Sequence, residues 1–391
     1  MENIAVVLCA GMDGAGGNTF AQQIKKVKSK HVKFDVYANT KNAYACGSNK
    51  DIGRNDDFIL FDTYKQLYNY IKDYKHIIVA TPPNNKDKQL SIYYKMLNKL
   101  KGKKYYFVLD RTVRTVKKVM LNEEHVNMFD YIVTIASEES KAYNFLKSIH
   151  PQVIAIDFNF YRYEEELLNK TLKYKHKNNI ISYCARFANM KGWNKIVEAY
   201  INNELNKSYI YTLEGGLFSY ENGKLSSTIA ILPVICKDYK KKIVNDGLIL
   251  HGNYDDYDKI DNSGLHIFPS YAKDEMLERL RKAKFALFPT MYDTKLNRYA
   301  FKYAIEYTWL ESINVGTPII ASAQYGRECV VNGKPLIEQD CGLIFFERMK
   351  DIYKLVKEYE KNYDKNVEKM QKFFIENYTN KSKLKELMKI L

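Results

Sequence analysis

Short apolar runs rich in β-branched and aromatic residues alternate with helix-period stretches through the first part of the chain. The runs are Ile4–Ala10, Lys33–Tyr37, Phe58–Phe61, His76–Ala80, Tyr105–Leu109, Tyr131–Ile135 and Val153–Ile156. Near-continuous apolar strands separated by helices predict a parallel sheet covered on both faces. The polar stretch 169–179, NKTLKYKHKNN, interrupts the pattern and reads as a linker. A second series follows, with strands expected near Ile180–Cys184, Tyr209–Leu213, Leu248–His251, Phe285–Pro289 and Pro318–Ala321. The tail from Lys350 to Leu391 is helical and basic, broken near Tyr378–Lys381, and no internal repeat is visible. The expectation is an α/β chain of two doubly wound, Rossmann-like domains: 1–168, a linker 169–179, 180–375, and a C-terminal helix 376–391 packing back on the N-terminal domain. Ligands of such folds bind where the carboxyl ends of the strands meet, here in a cleft between the domains.

The length of 391 residues and a hydrophobic content of 46% suit two cores. No window approaches a membrane span, and the opening run is too short and wrongly flanked for a signal peptide. A cytoplasmic protein without stable membrane association is expected. The six cysteines form no C-x-x-C pair and show no histidine spacing for zinc, so they read as reduced, small apolar residues. The net charge of +15 points to an acidic partner, because cations gain affinity for a polyphosphate by releasing its counterions. Most of that charge is lysine in a chain crowded with Asn, Ile and 33 tyrosines. An AT-rich coding bias produces the same composition, so the charge alone does not separate a polyanion-binding surface from a solvated one.

Between the first apolar run and the first helical stretch lies LCAGMDGAGGNTFAQQ, Leu8 to Gln23, where Gly11, Gly14, Gly16 and Gly17 leave the backbone bare. A G-x-G-x-x-G dinucleotide fingerprint fails because Thr19 stands at the third glycine position. A P-loop fails as well, since Gly17 and Asn18 replace its lysine and hydroxyl. What remains is a glycine-lined turn whose amides can approach an anionic ligand from a helix N-terminus.

Three further clusters carry candidate chemistry. CARFANMKGW sets Arg186 and Lys191 after a strand and at the mouth of a helix, where two cations can neutralise a diphosphate leaving group without a metal. Two ordinary surface cations would show the same spacing. FKYAIEYTWLESINVGTPII carries Glu306 and Glu311 ahead of Gly316, Pro318 and a buried strand, and a carboxylate there can accept both hydroxyls of a ribose. More than one helical turn separates the two glutamates, so they need not share a ligand. YYFVLDRTVRTVKK puts Asp110 at a strand end, where a doubly wound domain would carry a catalytic carboxylate. Arg111, Arg114, Lys117 and Lys118 follow on a helix able to grip a phosphate backbone. An N-cap aspartate before a solvated basic helix is the plainer alternative. Asp256-Tyr257-Asp258 matches the D-x-D metal pattern, but within HGNYDDYDKIDN the match carries little weight.

Together these pieces resemble the GT-B glycosyltransferases, and among them the DNA alpha-glucosyltransferases of the T-even bacteriophages. The strongest block is Asp274 to Ile320, where E-M-L-E-R, K-L-N and I-E-Y-T-x-L-E recur in order. Further matches are G-x-x-G-x-G with Phe20, Asp110 with its basic helix, A-R-x-x-x-x-K-G around Arg186, Lys191 and Gly192, L-E-G at Glu214, and D-x-G-L-I-x-F around Gly342. The resemblance implies a UDP-sugar donor, with Arg186 and Lys191 on its diphosphate, Glu311 on the ribose and Glu306 near the sugar or phosphate. Gly14, Gly16 and Gly17 would lie against the donor, and Glu214, Met276, Leu277 and Tyr307 complete the donor contacts it implies. Asp110 would hold or deprotonate the acceptor hydroxyl, and Arg111, Arg114, Lys117 and Lys118 would bind DNA. No metal cofactor is required on this reading, a divalent ion being at most stimulatory. The family has histidines on both sides of the aspartate, whereas Leu109 and Arg111 stand here, which changes the expected acceptor contacts.

The expected activity is transfer of glucose or another hexose from a UDP-sugar to the hydroxymethyl group of a modified pyrimidine, 5-hydroxymethylcytosine first, in double-stranded phage DNA, with retention. The target base would have to leave the stack. One rival keeps the chemistry and changes the acceptor to a cell-surface glycan, lipid or small molecule. Another is a DNA-binding or anti-restriction protein without turnover, against which Arg186, Lys191 and Glu311 argue.

Overall fold

The computed structural model describes residues 1–9, 16–40, 58–83, 87–109, 123–136, 138, 140–185, 191–214, 220–221, 224–225, 248–250, 260, 264–268, 273–290 and 305–391. The chain divides into two compact units: 1–162 with 296–307 and 378–391, and 163–295 with 308–377.

The first unit holds β1 (Glu2–Leu8), β2 (Val32–Asn39), β3 (Ile59–Phe61), β4 (His76–Thr81), β5 (Lys103–Val108), β6 (Tyr131–Thr134) and β7 (Val153–Ala155). They form one seven-stranded sheet in the order β3-β2-β1-β4-β5-β6-β7. Every pairing is parallel. Both faces are buried, which is why the strands read as unbroken apolar runs. In β1, Ala5 and Val7 enter one core, with Cys9 just beyond the strand, under the helices Tyr64–Ile71, Leu90–Lys99 and Lys141–Ile149. Ile4, Val6 and Leu8 enter the opposite core, with Phe20 of the helix Gly16–Lys25 and Leu387 of the helix Asn380–Leu387. Each fully buried aliphatic side chain of this kind contributes roughly 1.5–3 kcal/mol.

Local chemistry starts the helices where they start. Thr63 accepts the amide of Gln66 at 3.2 Å, satisfying one orphan donor of the first turn, while Gln66 Oε1 reaches back past the cap to accept the amide of Asp62 at 2.9 Å. Ser140 caps Lys141–Ile149 in the same way at 3.0 Å. The tail breaks at Tyr378 and Thr379, between the helices Tyr363–Asn377 and Asn380–Leu387.

The second unit holds β8 (Asn178–Cys184), β9 (Ile210–Glu214), the hairpin of β10 (Tyr220–Glu221) and β11 (Lys224–Leu225), β12 (Leu248–Leu250), β13 (Leu265–Ile267), β14 (Ala283–Phe288), β15 (Ile319–Ser322), the hairpin of β16 (Val330–Val331) and β17 (Lys334–Pro335), and β18 (Ile344–Phe346). Its main sheet runs β12-β13-β9-β8-β14-β15-β18, again wholly parallel. Every strand expected from the pattern is present. β13 and β18 come in addition to them. One face of this sheet is apolar, with Ile181, Tyr183, Tyr211, Leu213, Leu265 and Ile267 packed under the helices Trp193–Ile201, Ile352–Glu360 and Tyr363–Asn377. Among the described residues, no helix is long and apolar enough to cross a membrane.

Candidate functional site

In both sheets the strand order reverses beside the first strand of the unit, between β1 and β4 and between β8 and β14. Those carboxyl ends are the crevices in which doubly wound sheets bind ligands.

In the second unit β8 ends at Cys184, and the amide of Ala185 donates to the Glu214 carbonyl at 3.1 Å. Arg186 lies outside the described residues. The chain resumes at half-buried Lys191, then Gly192, which opens the helix Trp193–Ile201 with φ of 76°. A Cβ on Gly192 would meet the Pro289 carbonyl oxygen at 2.3 Å and the Pro289 ring at 2.8 Å. Only glycine fits both the left-handed backbone and this approach, so the helix mouth is held against the end of β14. That is the physical content of the K-G pair in the motif.

Glu214, the last residue of β9, is fully buried. Its Oε1 accepts the hydroxyls of Ser182 and Thr212, each at 3.3 Å, and Oε2 accepts Arg279 at 3.2 Å. Burial pushes its carboxyl above the usual range, opposed chiefly by the Arg279 charge. The second branch of the Arg279 guanidinium reaches Glu275 at 3.5 Å. Arg279 sits on the helix Lys273–Lys282 with Met276, which is buried, and Leu277, which is half-buried. The resemblance names Met276 and Leu277 as donor contacts and gives no role to Arg279, the last residue of the same E-M-L-E-R segment. A signal for it exists all the same: a glutamate predicted at the buried end of a strand demands a cation, and the buried arginine one turn beyond Met276 supplies it.

Glu311, 5% exposed, sits on the helix Tyr307–Asn314. The helix is stopped by Gly316, whose φ is 70° and whose amide donates to Ile313 at 3.0 Å, before Pro318 leads into β15. Trp309 anchors it, stacked on Phe288 at 6.1 Å and tilted against Tyr325 at 4.9 Å. Burial raises the Cys184 thiol well above its ordinary range, and the charges of Glu214, Arg279 and Glu311 all act on it. Glu214, in register with Cys184, and Arg279, bonded to Glu214, thus meet at the carboxyl end of β8, with Glu311 within electrostatic reach of it. The chain passes between units at Tyr307 and Thr308, so Glu306 and Tyr307 belong to the first unit and Glu311 to the second. Glu306 is 6% exposed, and Tyr307 packs against the first unit's core.

In the first unit Gly16 and Gly17 form the first turn of Gly16–Lys25, and Gly14 lies outside the described residues. Phe20 fixes that helix, its ring 5.9 Å from Phe107, 5.6 Å from Phe158 and 6.3 Å from Phe160. Asp110 follows β5 by two residues and, with Arg111, Arg114, Lys117 and Lys118, lies outside the described residues, as does Asp256-Tyr257-Asp258. Among the described residues, no group of three or more His, Cys, Asp and Glu side chains could hold a metal ion.

Two parallel, doubly wound sheets in tandem are the architecture of the GT-B class, and this chain has that fold. No family model matches the sequence, and no curated protein matches it. Solved structures match it from end to end. An alpha-glucosyltransferase in complex with UDP and a 13-mer DNA containing a central A:G mismatch has a TM-score of 0.79 and 20% identity, over 100% of this chain and 99% of that one. An alpha-glucosyltransferase in complex with UDP-glucose and DNA containing an abasic site has a TM-score of 0.80 and 19% identity, over 99% and 98%. Anabaena Alr3699/HepE in complex with UDP-glucose has a TM-score of 0.59 and 10% identity, over 100% of both chains.

Proposed function

We propose that the chain transfers glucose, or a related hexose, from a UDP-sugar to the hydroxymethyl group of a modified pyrimidine in double-stranded DNA, 5-hydroxymethylcytosine first, with retention. The observation that carries this reading is the end-to-end likeness to alpha-glucosyltransferase structures that contain UDP or UDP-glucose together with DNA. The second unit supports it locally, with Lys191 at a helix mouth and Glu311 buried on the helix Tyr307–Asn314.

On this reading Arg186 and Lys191 take the diphosphate, Glu311 the ribose and Glu306 the sugar or phosphate, with Glu214, Met276, Leu277, Tyr307 and the Gly14, Gly16, Gly17 turn completing the donor side. The acceptor oxygen forms its bond to the anomeric carbon on the same face from which the diphosphate oxygen departs, as retention in a single step requires, while the bond from that carbon to the diphosphate oxygen breaks. Asp110 accepts the hydroxyl hydrogen bond and takes the proton, and the two cations stabilise the charge that grows on UDP. No metal is needed for that stabilisation, and a divalent ion would only stimulate it. Arg111, Arg114, Lys117 and Lys118 grip the DNA backbone while the target base leaves the stack. The work would be done in the cytoplasm of a phage-infected cell, where a glucosylated base shields DNA from restriction.

HepE, matched with UDP-glucose alone, favours a second reading in which the donor is kept and the acceptor is a glycan, lipid or small molecule. Transfer from labelled UDP-glucose to three matched duplexes, containing cytosine, 5-hydroxymethylcytosine or 5-hydroxymethyluracil, separates the two, with Glu311→Ala as the blank. Label on one hydroxymethylated duplex is the expected result and names the base. Slow hydrolysis of UDP-glucose with no labelled duplex would send the acceptor elsewhere.

A further inference from the structure

The second sheet carries a polar seam on its other face. Alternation turns Ile181 and Tyr183 of β8 into the apolar core, so Ser182 and Cys184 face the opposite way; in β9 Thr212 and Glu214 do the same, and in β13 His266. Ser182 is in register with Thr212, Thr212 with His266, and Cys184 with Glu214. All five are 0–1% exposed. The helix Lys273–Lys282 packs on β8 and β14, and Arg279 reaches the seam from it.

We infer that Arg279, forked between Glu214 and Glu275, sets the rotation of the helix Lys273–Lys282 and so positions Met276 and Leu277 for the donor nucleotide. The inference rests on the donor-site reading above. It makes Arg279 a positioning residue and gives Glu214 its effect through Arg279.

Three observations carry it. Glu214 has its acceptors filled from within the protein: Ser182 and Thr212 hold one oxygen and Arg279 the other. If packing alone were needed, apolar residues of similar volume would serve as well or better, because two buried charges lose more hydration than they regain. Arginine is also suited to the task in a way lysine is not, since its rigid fork spans one carboxylate fixed on a strand and another a turn back on its own helix. A helix advances about 100° per residue, from 3.6 residues per turn, so fixing Arg279 fixes the directions of the residues one turn before it. Glu311 lies within electrostatic reach of the same strand end, its charge acting on Cys184 beside those of Glu214 and Arg279. The seam therefore ties the helix bearing Met276 and Leu277 to the strand end that the charge of the ribose carboxylate reaches.

The test is calorimetric binding of UDP by the full chain, with thermal melts alongside, for the parent, Arg279→Lys, and the double variant Glu214→Leu with Arg279→Met. Lysine keeps the charge and loses the fork; the double variant removes both buried charges. Both variants should melt near the parent and bind UDP at least roughly tenfold more weakly, a tenfold change in Kd. In donor-limited assays Arg279→Lys should raise the donor KM and leave kcat in place, the signature of lost binding that ground state and transition state share. A folded variant of either kind that binds UDP as the parent does would overturn the inference and leave the donor site standing. A parent that does not bind UDP would overturn the donor-site reading and this inference with it.

Discussion

The two sheets solve the same topological problem with different interiors. Polar residues intrude on the strands of the first sheet separately: Asp35 on β2, held by Tyr74 at 2.8 Å and Lys33 at 3.0 Å, and Thr134 on β6, which accepts the amide of Ala136 at 3.0 Å. β1, β4 and β5 lie between those strands. In the second sheet Ser182, Thr212 and His266 are neighbours in register, and the seam ends in the Glu214–Arg279 pair. A further buried cation, Lys177, stands at the amino end of β8, its ammonium on the carbonyls of Arg281 and Gly316 at 2.7 and 3.0 Å and on Thr317 Oγ1 at 3.1 Å. The difference teaches where this molecule trades stability for placement. Apolar faces hold a sheet together without caring about a few degrees of helix rotation, whereas a buried ion pair holds only in one geometry.

The largest expected effect comes from breaking that pair on one side. Arg279→Met leaves the Glu214 carboxylate buried and unpaired, and should cost about 3–5 kcal/mol in denaturant unfolding. Lys33→Met in the first sheet removes a partner that is 56% exposed, and should cost less than about 1 kcal/mol. Equal losses at the two sites would erase the distinction between the sheets.

Glycine offers a second contrast inside one unit. Gly333 has φ of 77° and open space where a side-chain carbon would stand, so Gly333→Ala should cost only the roughly 1–2 kcal/mol of a left-handed residue. Gly192→Ala carries the same strain and also overpacks Pro289, adding about 1–3 kcal/mol and weakening UDP binding. Unfolding curves and nucleotide titrations on the two variants would check both parts.

Lys177 makes the second unit sensitive to pH. Burial, reinforced by the neighbouring Arg281 charge and opposed by Asp364, lowers its ammonium from 10.5 to about 7. Between those values the unfolded chain holds a proton that the folded chain lacks, so stability should rise with pH across that window, by up to about 1.4 kcal/mol per unit. Below about pH 7 this group adds no slope. Melts of the parent should climb from pH 7 to 9.5, and Lys177→Met should remove that part of the climb; an unchanged slope would mean the charge is relieved in another way. Above that window the tyrosines take over, since burial raises the folded phenols of Tyr105, Tyr209 and Tyr211 and their ionisation favours the unfolded chain.

A small effect, close to that of Lys33→Met, belongs to the first unit's neutral interior. Tyr93→Phe removes a hydrogen bond of 3.1 Å to buried His125 and should cost about 1 kcal/mol in the same unfolding assay.

Much of this molecule was legible along the chain. Alternating apolar runs and helical stretches determined two parallel sheets, because a strand buried on both faces must be apolar throughout. The K-G pair at Lys191 and Gly192, the glutamates Glu306 and Glu311, and the break near Tyr378 could all be located from residue types and spacing. Tertiary structure alone decided the rest. Strand order depends on which crossovers pack, so three-residue β13 and β18 became visible only as neighbours of β9 and β15. The pairing of Glu214 with Arg279 joins residues far apart in sequence, and Tyr307 and Glu311 fall in different units although less than two helical turns separate them. Local pattern reports how a residue meets its own strand or helix. Which buried charge finds which partner is settled only when distant elements close on one another.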